Sequence, residues 1–106
     1  MKKALFCGVV LFLILAASVF AERAQIEEAV SSYEAIAAEA EKLAEKPLVD
    51  INDFSVLDEK ATAAEAKIKA LENEREWMIQ DAKRLAVLRA RFNQAMATVV
   101  QKLFKY

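Results

Sequence analysis

Two pairs of glutamates stand one helical turn apart in this sequence, Glu41 with Glu45 and Glu72 with Glu76. Carboxylates at that spacing share a helix face, where they can serve acid–base work or bind a hard cation. A second acidic group, Asp50, Asn52 and Asp53, opens like a calcium loop, but the loop glycine is missing, its fifth position would be Phe54 and its twelfth Ala61. A glutamate-rich helix exposed to water produces i,i+4 carboxylate pairs by default, and Glu65 followed by Lys69 is the ordinary ion-pair use of the same spacing.

The remaining chemistry is bounded by what the chain lacks. It has no histidine, and its one cysteine, Cys7, and one glycine, Gly8, both precede residue 21. Beyond that point histidine general acids, thiolate nucleophiles and histidine or thiolate metal sites have no residues to build them, and no glycine-rich loop can cradle phosphate. Di-iron carboxylate bundles also require histidine. The expectation is a protein that is not an enzyme, with no catalytic residue, no metal and no cofactor.

Residues 1–21 read as an export signal. Lys2 and Lys3 form a positive start, residues 5–20 an uncharged apolar core, and Val19-Phe20-Ala21 a small-x-small cleavage site. Cleavage would leave a domain of residues 22–106. The alternative is an uncleaved inner-membrane anchor, since residues 4–21 reach the lower limit of about 17 residues for a spanning helix. In either case the lysines stay inside and the rest is exported, which suits a periplasmic or envelope-associated bacterial protein. Cys7 precedes most of the apolar core and reads as a small hydrophobe. The exported part therefore has no thiol and can form no disulfide.

Two helical stretches surround one break. Residues 22–46 are rich in alanine and glutamate, and Ile26, Ala29, Tyr33, Ile36, Ala40 and Leu43 recur at alternating spacings of three and four, with Val30, Ala37 and Ala44 widening the stripe. Pro47, the only proline, disfavours helix at Lys46 and removes a donor. Residues 47–55 form the connection, in which Leu48, Ile51 and Phe54 are expected to cover the end of the hairpin. Ser55 with Asp58 resembles a capping box. From 56 to 105 there is no glycine or proline, and Leu57, Ala61, Ala64, Ile68 and Leu71 continue the stripe.

The expected fold is therefore all-α: an antiparallel, coiled-coil-like helical hairpin preceded by a signal-peptide helix, its second helix extending past the first. About 50 residues at 1.5 Å each make that helix on the order of 75 Å long, against roughly 38 Å for the first. Arg75 and Arg89 interrupt its seam 14 residues apart, as elements of pairing specificity or as side chains that snorkel to water. Trp77 sits beside the seam as a core-edge or interface anchor. On this reading residues 79–106 have no partner within the chain. Leu85, Leu88, Arg89, Phe92, Met96, Val99, Leu103 and Phe104 are then the expected interaction surface, because a soluble monomer does not leave such an apolar face uncovered.

Charge divides the chain at the same place. All sixteen acidic residues lie in 22–81, which carries −9, whereas residues 82–106 hold six basic residues and no acid. Such asymmetry predicts attraction between opposite ends of two copies or toward an anionic surface. The function expected from sequence is an exported structural or interaction component of the bacterial cell envelope, partnered by a homo-oligomer or another envelope protein through the basic C-terminal helix. One alternative is a peripheral or anchored membrane protein binding anionic lipid through that helix. Another is an exported chaperone or adhesin. Export places nucleic acid out of reach, and none is expected as a partner.

Overall fold

The computed structural model describes the backbone of residues 2–104 and the side chains of residues 20–104. Three helices follow one another, α1 (Lys2–Glu45), α2 (Ile51–Leu71) and α3 (Ile79–Phe104), with no strand among the described residues. The all-α expectation stands. Residues 2–19 belong to α1 by backbone, but their side chains lie outside the described residues, and with them most of the export-signal reading.

The first helix ends where proline requires. Lys46 N–H turns back to the Leu43 carbonyl at 3.2 Å, and Lys102 from α3 donates to the carbonyls of Ala44 and Lys46. A cation on the last carbonyls satisfies groups the helix cannot, at its negative end. The next helix begins at Ile51, earlier than the capping-box pattern suggested. Asp50 is its cap, in extended geometry, and its carboxylate accepts the Asn52 N–H at 3.0 Å. Aspartate caps as well as serine does, so the helix starts as soon as Pro47 is passed and Ser55 lies inside it. Phe54 packs against the core, but Leu48 and Ile51 are exposed and do not close the hairpin end.

The expected helix 56–105 is broken. Glu72 N–H closes α2 on the Ile68 carbonyl at 2.9 Å, and residues 72–78 turn the chain through bonds from Glu74 N–H to the Leu71 carbonyl and from Trp77 N–H to the Glu74 carbonyl. Asp81 then reaches back to accept the Met78 N–H at 3.0 Å, the half of a capping box that an acid at the third helical position supplies. Interrupting a helix forgoes about four backbone bonds, about 2–6 kcal/mol at the net value of such bonds. Folding back buries Leu85, Leu88, Phe92, Met96 and Val99, which at about 1.5–3 kcal/mol each is an upper estimate of about 8–15 kcal/mol. Burial wins.

The result is an up-down-up arrangement. Glu39 meets Lys60 at 3.3 Å, so α2 runs antiparallel to α1. Asp81 lies by Arg23, Arg91 by Glu41 and Lys102 by Ala44, so α3 runs parallel to α1. Both α2 and α3 pack more closely on α1 than on each other. Serving two neighbours widens the buried stripe of α1 to Ile26, Ala29, Val30, Tyr33, Ala37, Ala40 and Leu43.

Candidate interaction surface

The overhang expected beyond residue 79 is absent, because α3 lies along α1. Leu85, Leu88, Phe92, Met96 and Val99 are buried in the intramolecular core, Leu103 is half-buried against it, and Phe104 alone is open, at 87% exposure. Tyr33 meets the Phe92 ring edge-on at 6.0 Å between centroids. An interface through these side chains would first require α3 to leave α1. Arg75 is exposed in the turn and lies on no seam, while Trp77 is half-buried beside it.

Much of the charge asymmetry is met within the chain. On α3, Arg84 bridges Glu27 and Glu34 at 3.1 Å each, Arg91 pairs with Glu41, and Lys102 holds the end of α1. Arg23 donates to both oxygens of Asp81 and to the Glu76 carbonyl, tying α1 to the turn. These partners hold the carboxyls of Asp81, Glu27 and Glu41 below their ordinary range, chiefly through the Arg23 bond for the first two and the Arg91 bond for the third. The sequence showed opposite charges on two segments of the chain. Only the turn at 72–78 makes them neighbours.

Arg89, predicted as a surface element, is the centre of a polar tie among all three helices. It donates from Nε and a terminal nitrogen to Glu65 of α2 at 2.8 and 2.6 Å, and lies 3.5 Å from Glu72. The Tyr33 hydroxyl of α1 faces Glu65 in turn, near enough for the carboxylate to act on it. Burial first, and the facing carboxylate second, push Tyr33 up to about 12, while Arg89 holds Glu65 below the usual carboxylate range. No buried side-chain polar atom is left without a partner among the described residues.

One face remains open. Away from α3, helices α1 and α2 frame a groove of about 540 Å³ lined by Gln25, Glu28, Ala29, Ser32 and Ile36 on one side, and Lys60, Ala63, Ala64, Lys67, Ala70 and Leu71 on the other. The lining residues recur every three or four positions on each helix, one turn apart. Sequence periodicity placed Ala29, Ile36, Ala64 and Leu71 on the apolar stripe but left Ala63 and Ala70 as ordinary solvent-side helix formers.

The carboxylate pairs are divided among other tasks: Glu41 goes to Arg91, and Glu72 faces Arg89. Among the described residues no group of three or more metal-ligating side chains converges, and no helix is long and apolar enough to cross a membrane. Compared with family models, curated proteins and solved structures, the chain matches none.

Proposed function

We propose that this chain is an exported, non-catalytic structural or interaction component of the bacterial cell envelope, binding a protein partner through the open face of α1 and α2. The observation that carries the binding half is the groove itself: α3 occupies one side of α1, and the adjoining valley between α1 and α2 is lined by Ala29, Ile36, Ala64 and Leu71 with no residue of α3 in its walls. Support for a non-catalytic role comes from the ionisable groups, whose paired members join one helix to another. Export rests on the pattern of residues 1–21.

The lipid alternative, as it arises from α3, uses an apolar face that here lies against α1. The test is to produce the full chain in a bacterial host, fractionate the cells and sequence the protein's N-terminus. An envelope fraction beginning at Glu22 supports the reading. Met1 in the inner membrane selects the anchored form, and a cytoplasmic chain keeping Met1 overturns export.

A further inference from the structure

We infer that the occupant of the α1–α2 groove is a second copy of this chain, related by a two-fold axis parallel to the helices; this rests on the binding role proposed above and names its partner. The groove follows about 11 residues of each helix, roughly 16 Å of length. Short side chains, Ala29, Ser32, Ala63, Ala64 and Ala70, line it beside the larger Ile36 and Leu71. Small residues let helix axes approach to about 8 Å, which makes such a valley fit another pair of helices.

Charge chooses among occupants. The α1 lip carries Glu28 and the α2 lip carries Lys67, while Lys60 beside it is paired with Glu39 of the same chain. The Glu39–Lys60 contact fixes the register of the two helices, and counting seven residues from each end of it sets Ser32 level with Lys67. Glu28 is then one turn away, about 6 Å along the axis. Neither Glu28 nor Lys67 has its charge drawn into the network that α3 makes with α1.

A two-fold axis along the bundle lays α1 of each copy over α2 of the other, bringing Glu28 within side-chain reach of Lys67 of the second copy, twice by symmetry. A two-fold axis across the bundle sets α1 against α1 and α2 against α2, facing lysine with lysine, which is repulsive. The face is therefore complementary to itself in one orientation. A foreign helix would have to reproduce both the acidic and the basic lip. The product is a four-helix layer of two α1 and two α2 helices with α3 outside, all neighbours in the layer antiparallel.

The test uses the full chain purified from whichever host fraction holds it, with mass followed by light scattering over a dilution series. A dimer is expected. Lys67→Glu and Glu28→Lys, both at exposed positions, should each weaken it about tenfold with helix content unchanged by circular dichroism. The double variant Glu28→Lys/Lys67→Glu should restore it, because exchanging both charges restores complementarity only when the two lips belong to the same sequence. A monomer at all concentrations overturns the inference, as does a dimer indifferent to both substitutions or one not rescued by the double change. Localisation and N-terminal sequencing are separate readouts, so a monomer found in the envelope would sink the second copy and leave export standing.

Discussion

Arg23 and Asp81, 58 residues apart in sequence, lie side by side with both terminal guanidinium nitrogens on both carboxylate oxygens, at 2.6 and 2.7 Å. Asp81 is only 3% exposed, and its carboxylate also accepts the Met78 N–H. One side chain therefore starts α3 and fastens it to α1. A planar guanidinium matches a carboxylate in this two-bond geometry in a way lysine does not.

Removing that carboxylate leaves Arg23 without its main partner and the first turn of α3 without its acceptor. Asp81→Ala is expected to lower stability by about 2–4 kcal/mol, in the range for one member of a largely buried, charge-assisted pair. Urea unfolding followed by circular dichroism measures it. A loss no larger than that of an exposed alanine substitution, about 0.5 kcal/mol or less, would show that the pair does not hold the fold.

Acid should act through the same groups. Asp81 and Glu65 have carboxyls held below their unfolded values by Arg23 and Arg89 respectively. Their contribution is complete above the unfolded carboxylate value of about 4 and is lost as pH falls through the lower folded values, because in that window the unfolded chain binds more protons. The urea midpoint is expected to be flat near neutrality and to fall below about pH 4. Asp81→Asn should flatten that fall.

Tyr33 gives the opposite limb. Its hydroxyl is pushed up to about 12, by burial first and by Glu65 second. A raised folded value means that stability is complete below the unfolded value of about 10 and is lost as pH rises toward the folded one. In a Tyr106→Phe background, tyrosinate absorbance should show one late step near 12. A single step near 10 in folded protein would contradict the three-helix tie.

The turn at 72–78 has a distance signature. Spin labels on Glu45 and Gln101, both exposed, should lie within about 20 Å, one interaxial spacing of about 10 Å plus the label arms. A continuous helix from 56 to 105 would separate them by on the order of 70 Å. Double electron–electron resonance distinguishes the two.

Core truncation completes the set. Leu85 is 1% exposed within the single chain, so Leu85→Ala should cost about 2–5 kcal/mol at every protein concentration. If the loss vanished on dilution, Leu85 would be packing between copies. Thermal unfolding at several concentrations separates these outcomes.

Much of the architecture was legible. The stripe Leu57, Ala61, Ala64, Ile68 is buried as its spacing predicts, and Pro47 ends α1 within two residues of the expected place. The second break was not, because Glu72, Glu74, Arg75 and Glu76 all favour helix and no glycine or proline marks the turn. Two faint signals existed: Arg75 on an otherwise apolar seam, and Asp81 three residues after Met78. Propensity outweighed them locally, and burial of α3 against residues some fifty positions earlier reversed the result. The expected interaction surface rested on the same point: the apolar face of α3 looked open only while the helix looked straight, and in the three-helix arrangement it lies against α1.

The α1–α3 contacts that fasten the bundle join residues far apart in the chain, 50 positions between Glu41 and Arg91 and 58 between Lys102 and Ala44. The α1–α2 ion pair spans only 21. As the polypeptide emerges from its N-terminal end, the first hairpin can form while α3 is still being made, with one side of α1 bare. Closure waits for the last two dozen residues, and non-local contacts of this kind set the slow step of folding. A chain that stalled before Lys102 would present to its surroundings the apolar side of α1 that the finished protein hides.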